Sequence, residues 1–130
     1  MTLGSSAALR GSTVAIVDDD EFVRAGLGNL MRSIDVDACL FASAEEFLDE
    51  DFRLYACVLS DIQMPGLSGL DLLVAVKARQ PDLPVVLMTA YPDARVVERA
   101  NREGAYRFLE KPCDPDELVA LVERFVAPAD

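Results

Sequence analysis

The stretch "VLSDIQMPG" (residues 58–66) decides how the rest of the chain is read. An apolar run from Tyr55 to Leu59 is followed by Ser60 and one carboxylate, Asp61, and the chain then breaks at Met64-Pro65-Gly66. A short apolar run of this kind suits a strand of a parallel sheet, which is covered on both faces and loses the usual apolar–polar alternation. An acid at the tip of a buried strand is out of place as an ordinary surface residue. It stands where open α/β sheets do their chemistry, outside the carboxyl ends of the strands.

Outward from this stretch, short β-branched runs alternate with longer amphipathic ones. The strand candidates are "TVAIV" (13–17), "ACLFA" (38–42), "YACVLS" (55–60), "VVLMT" (85–89) and "YRFLE" (106–110). Between the first two, residues 20–34 place Val23, Leu27, Leu30 and Ile34 on one helical stripe. Gly26 and Gly28 weaken that helix by up to about 1 kcal/mol each relative to Ala, so packing must hold it. Ser43 and Glu46 form a capping-box pattern for a short helix, "AEEFLDE". Ser68 caps a helix over about 69–79 with Leu72, Leu73 and Val76 inward, and Pro81 and Pro84 follow its end. A fourth helix over 93–103 closes at Gly104 in the C′ position. The last has Asp114 as N-cap and Pro115 at N1, and buries Leu118, Leu121, Val122 and Phe125. Strand–helix–strand crossovers imply parallel pairing with helices on both faces, hence one α/β domain.

The 130 residues are the length of one domain, enough to bury roughly 65–70% of the unfolded surface. A formal charge of −11 argues against direct contact with nucleic acid, which needs a basic patch. It suits a domain that gathers cations or meets basic partners. There is no histidine, and Cys39, Cys57 and Cys113 lack metal-ligand spacing, which argues against zinc; Cys57 reads as a small core hydrophobe. No apolar run approaches the ~18 residues of a membrane span. The opening "MTLGSSAALRGS" lacks the apolar region of a signal peptide. Residues 1–12 are therefore expected to be a flexible lead-in, 13–126 the domain and 127–130 a tail, in a cytoplasmic protein without a membrane partner.

The strand ends supply a short list of chemistry. Asp18, Asp19 and Asp20 follow the first strand, Asp61 the third, Thr89 ends the fourth and Lys111 follows the fifth. Crowded carboxylates raise one another's pKa unless a cation neutralises them. Hard oxygen ligands without His or Cys select Mg²⁺, or a relative such as Mn²⁺. A carboxylate can also attack as a nucleophile to form an acyl phosphate, whose charge a metal, an ammonium and a hydroxyl stabilise. Singly, each residue has a plainer reading: acids favoured at a helix N-terminus, a strand-end hydroxyl, a solvated lysine. Their conjunction at successive strand ends argues for the chemical one.

Four segments carry a resemblance: "VAIVDDDEFVR" (14–24), "VLSDIQMPGLSGLDLL" (58–73), "VVLMTAY" (85–91) and "EGAYRFLEKP" (103–112). In order and spacing the chain resembles, over about 13–126, the receiver domain of bacterial two-component response regulators, of the chemotaxis-regulator type. The resemblance implies a doubly wound (βα)5 flavodoxin-like fold with a five-stranded parallel sheet in the order 2-1-3-4-5. It implies Asp61 as phosphoacceptor, Asp18 and Asp19 as the acidic pair for Mg²⁺, and the Gln63 backbone carbonyl as a further metal ligand. It further implies Thr89 as the switch hydroxyl, Lys111 as the phosphoryl-binding lysine and a cis bond before Pro112. The family's aromatic switch position is Phe108 here, where a Tyr is frequent, and Gln63 and Tyr91 occupy positions that influence dephosphorylation. Asp20 stands outside the acidic pair and is assigned to the helix start. Implied partners are a sensor histidine kinase or phosphotransfer protein and a phosphorylation-dependent homodimer, with signalling through the fourth helix, fifth strand and fifth helix. The only catalysis implied is of the domain's own phosphorylation and dephosphorylation. Two rival readings are a haloacid-dehalogenase-like phosphatase using Asp18 as nucleophile and Asp20 as acid, and a phosphorylation-independent interaction module on the same fold.

Overall fold

The computed structural model describes residues 11–126, so nearly all of the expected lead-in and the whole tail lie outside the described residues. Five parallel strands, β1 (Thr13–Val17), β2 (Ala38–Phe41), β3 (Tyr55–Asp61), β4 (Val85–Thr89) and β5 (Arg107–Glu110), lie in the order β2-β1-β3-β4-β5. The helices are α1 (Glu21–Ser33), α2 (Ala44–Leu48), α3 (Gly69–Arg79), α4 (Ala94–Arg102) and α5 (Pro115–Phe125). The expected fold class and strand order are those observed.

Alternate strand residues feed two apolar layers, as the two-residue side-chain period requires. Val14, Ile16, Cys57 and Leu59 pack with Met31 of α1 and Leu118 of α5. Ala15, Val17, Val58 and Leu87 pack with Phe47 of α2, Leu73 of α3 and Ala100 of α4. The central strands are buried along almost their whole length, whereas the edge strands expose Cys39 and Leu40 on β2 and Arg107 and Glu110 on β5. An edge strand has a neighbour on one side only, so continuous apolar character does not guarantee burial there.

Several local expectations need correction. The stripe Val23, Leu27, Leu30 and Ile34 is only half-buried, and the fully buried side chain of α1 is Met31, eight residues after Val23. The cause is a groove of about 650 Å³ between α1 and α5, which leaves Val23, Leu27 and Leu30 lining an open surface. Phe125 is half-buried, edge-on to Tyr106 at 4.7 Å between ring centres. The capping pattern of α2 closes on one side only: Ser43 accepts from the Glu46 amide, but Glu46 accepts from the Ala42 amide and not from that of Ser43. The reciprocal box occurs instead at α3, where Ser68 and Asp71 bind each other's amides. A 3-10 turn at Phe52–Leu54, not foreseen from the sequence, precedes β3.

Candidate functional site

The chain runs from β1 to β2 on one side and returns to β3 on the other, which opens a crevice at the carboxyl ends of β1 and β3. Val17 is registered against Ser60, so the next residues, Asp18 and Asp61, emerge side by side. Asp18 is fully buried. Its Oδ1 accepts from the Asp20 amide at 2.9 Å and its Oδ2 from Lys111 Nζ at 2.8 Å. Arg24, a residue the sequence did not single out, donates to the Asp18 carbonyl at 2.7 Å and holds this turn against α1. Asp20 is the N-cap of α1, accepting from the Phe22 and Val23 amides. Its role as helix start is as expected, and a carboxylate so engaged is poorly suited to be the acid of a phosphatase.

Asp61 is 6% exposed. Its Oδ1 accepts from the Ile62 amide at 2.9 Å and lies 3.3 Å from Lys111 Nζ. Among the described residues Oδ2 has no hydrogen-bond partner, which leaves one carboxylate oxygen free to react. Burial first, then the charge of Asp18, hold the Asp61 carboxyl above the usual carboxylate range, against the pull of Lys111. Burial alone would lower Lys111, but its bonds to Asp18 and Asp61 outweigh that and hold the ammonium above its ordinary value. Lys111 is therefore charged at neutral pH.

Behind Asp61 the backbone is locked. Ser60 is buried and donates to the Asp61 carbonyl at 2.9 Å, and the Gly69 amide donates to the Ile62 carbonyl at 3.0 Å. A Cβ on Gly69 would fall 2.2 Å from the Asp61 carbonyl oxygen, so this start of α3 reaches its place only as glycine. The one sequence signal was a glycine opening a helix with no turn to require it. Gly66, by contrast, has φ of +77°, and its neighbour Leu67 donates its amide to Glu45.

Thr89 is fully buried at the end of β4. Its hydroxyl donates to Gln63 Oε1 at 2.6 Å and accepts from the Tyr91 amide at 3.1 Å. The Lys111 amide donates to the Thr89 carbonyl at 2.8 Å, tying β5 to β4 at the crevice. The Lys111–Pro112 bond is cis, as expected. Tyr91 is 77% exposed. Phe108 is half-buried against the layer containing Val58 and Leu87, which Val96 and Ala105 also border.

One carboxylate oxygen from each of Asp18, Asp19 and Asp61 lies within 4.8 Å of the other two. Three carboxylates beside one ammonium leave an uncompensated negative charge, and the set offers only hard oxygens. Both features fit a small divalent cation, and exposed Asp19 leaves a solvent side for the waters that Mg²⁺ retains. Of the expected residues, Asp18, Asp19, Asp61 and Lys111 come together, and Thr89, Gln63 and Tyr91 are tied to one another at the end of β4. The Thr89–Gln63 bond has no counterpart in either local sequence pattern.

The family model described as the response regulator receiver domain matches residues 14–123. The transcriptional regulatory protein FixJ of Bradyrhizobium diazoefficiens is 38% identical over 118 residues, covering 90% of this chain and 58% of that protein. The DNA-binding transcriptional regulator NtrC of Klebsiella pneumoniae is 42% identical over 113 residues, covering 86% of this chain and 24% of that protein. The chain thus spans from about a quarter to somewhat over half the length of these relatives. Among solved structures, the apo receiver domain of nitrogen regulatory protein C is 39% identical with a TM-score of 0.79, covering 89% of this chain and 94% of that one.

Proposed function

The chain belongs to the response regulator receiver domain family, and from that premise we propose that Asp61 accepts a phosphoryl group from a sensor histidine kinase or phosphotransfer protein. The observation that carries this reading is the convergence of Asp18, Asp19 and Asp61 within 4.8 Å beside the Lys111 ammonium. The free oxygen, Asp61 Oδ2, attacks phosphorus as the bond to the donor's nitrogen or oxygen breaks, and the electron pair leaves with the donor. Lys111 and the Ile62 amide hold Oδ1 and so aim Oδ2. Asp18, Asp19, Asp61 and the Gln63 carbonyl would hold Mg²⁺ (or Mn²⁺), which supplies positive charge against the transferring oxygens. No substrate other than the domain's own phosphoryl group is processed.

Thr89 then bonds a phosphoryl oxygen, and the change passes through Phe108 to the α4–β5–α5 face, where homodimerisation or target binding responds. Gln63 and Tyr91 border the phosphoryl position and set how readily water hydrolyses it. The names of FixJ and NtrC support transcription control as the downstream output, exerted by other parts of such regulators in the cytoplasm. Among the described residues no helix is long and apolar enough to cross a membrane, and at −11 this domain is not itself the nucleic-acid contact. Phosphodonor docking fits the apolar groove between α1 and α5, which runs from Val23 and Leu27 to Pro112 and Cys113, with Phe22 standing 90% exposed beside it. Phe22→Ala should slow transfer from a kinase and leave transfer from acetyl phosphate unchanged.

Mass spectrometry after treatment with acetyl phosphate and Mg²⁺ tests the reading. One added phosphoryl group is expected, absent in Asp61→Asn and lost in Asp19→Ala with the fold intact. Retained labelling in Asp61→Asn would remove Asp61 from the role.

A further inference from the structure

We infer that Gln63 is a positioning residue for the switch: its side chain holds Thr89 in the unphosphorylated arrangement and must let go for the phosphoryl group to be read. This rests on the phosphoacceptor reading of Asp61. A threonine hydroxyl has one proton to donate. Here that proton is committed to Gln63 Oε1 at 2.6 Å, and the lone-pair side accepts from the Tyr91 amide. Thr89 is fully buried, so no bulk water competes for the hydroxyl. Bonding to a phosphoryl oxygen on Asp61 is therefore an exchange of acceptors and not the making of a new bond. The neutral amide oxygen is given up for a charged oxygen, which is the stronger acceptor.

The two partners differ in what release costs them. Gln63 is exposed, so its freed amide oxygen turns to water, while Thr89 must find its new acceptor inside the crevice. The bond therefore opposes the shift by about what one ordinary hydrogen bond is worth. Gln63 follows Ile62, whose amide holds Asp61 Oδ1, so one short segment both aims the carboxylate and restrains the hydroxyl that reads it. Because a ligand shifts an equilibrium only by its differential affinity for the two states, this restraint sets how much phosphoryl binding is spent on the switch. The effect concerns the position of the equilibrium. It is separate from any influence of the same side chain on hydrolysis.

Beryllofluoride, which mimics the aspartyl phosphoryl group without turning over, separates the two. Titration with Mg²⁺ and beryllofluoride, followed by NMR at the Tyr91 amide, should give apparent affinity about fivefold tighter in Gln63→Ala and Gln63→Met than in wild type. The metal-free signals of both variants should also move toward the bound positions. In a Thr89→Ala background the same substitutions should change affinity by less than about twofold, because the restraint has nothing left to hold. Equal effects in the Thr89 and Thr89→Ala backgrounds, or no effect in either, overturn the inference. A wild type that gives no Asp61-dependent beryllofluoride signal removes the phosphoacceptor reading itself, and this inference with it.

Discussion

Lys111 reaches back 93 residues to Asp18, with Nζ 2.8 Å from a carboxylate oxygen that has no exposure to solvent. The same ammonium lies 3.3 Å from Asp61, so it is the resident counter-charge of the crevice. Replacing it with an isosteric apolar chain leaves a buried carboxylate unpaired, a cost on the order of 2–4 kcal/mol. Lys111→Met should lower stability by that order in urea denaturation without Mg²⁺, and saturating Mg²⁺ should recover part of the loss. The raised Lys111 pKa means its stabilisation is fully present below 10.5 and lost as pH rises through the folded value. The alkaline limb of the wild-type stability profile should therefore flatten in Lys111→Met.

Asp61 gives the opposite sign at low pH. Burial and Asp18 raise its folded pKa above the ordinary 3.8, so the folded state holds a proton there more readily than the unfolded state. The charged form is thus a strain on the fold, absent below 3.8 and fully present above the raised value. Asp61→Asn should be the more stable protein at pH 7. Denaturation midpoints should converge as pH falls toward 3.8. A gap that widens on acidification would mean that the Lys111 contact, and not burial, dominates the carboxylate.

These effects hang on residues of unequal visibility in the sequence. Asp18, Asp61, Thr89 and Lys111 were legible because each sits at or just past the end of an apolar run, and a parallel sheet delivers all such positions to one edge. The caps Asp20, Ser68 and Asp114 were equally legible, since the side chain binds amides two or three residues on. What escaped depends on meetings between segments. Gln63 and Thr89 are 26 residues apart, and nothing in either local pattern fixes the rotamers that join them. Glu46 likewise fits the capping-box pattern, but its longer reach finds the Ala42 amide. The half-burial of the Val23–Leu27–Leu30 stripe was hidden for a related reason: periodicity names the apolar face of a helix without saying what covers it.

Gly69 shows how a residue can be decisive while offering no side chain. Its missing Cβ would sit 2.2 Å from the Asp61 carbonyl oxygen and 2.9 Å from Ile62 Cα. Both are backbone atoms of the loop that aims the carboxylate and cannot swing aside. Gly69→Ala should therefore destabilise by about 1–3 kcal/mol, the range for overpacking a tight site, although alanine is the better helix former. The same shift should displace Asp61 and slow labelling by acetyl phosphate. Thermal unfolding and labelling rate on one sample read both. Unchanged stability would mean that the start of α3 yields easily.

On the reading proposed above, a change at the crevice would pass to the α4–β5–α5 face through Phe108. Phe108 is half-buried at the margin of the apolar layer that Val96 of α4 and Ala105 also border, and lies three residues before Lys111 on the strand whose end is tied to the Thr89 carbonyl. If Thr89 moves toward a phosphoryl oxygen, space opens that the ring can enter. With no hydroxyl to satisfy, the ring gains by burying its remaining apolar area, at about 25 cal/mol per Å². A bond from Thr89 to a charged oxygen, about 1.5–3 kcal/mol, is of the size that shifts a gap of a few kcal/mol. Thr89→Ala should still accept phosphate on Asp61, yet lose phosphorylation-induced self-association and the accompanying NMR shifts at Phe108. Phe108→Ala should keep the shifts at Thr89 and lose those at Val96, placing the ring downstream. Shifts at Phe108 of equal size in wild type and Thr89→Ala would show that phosphorylation reaches β5 by another path, with Lys111 the contact left to carry it.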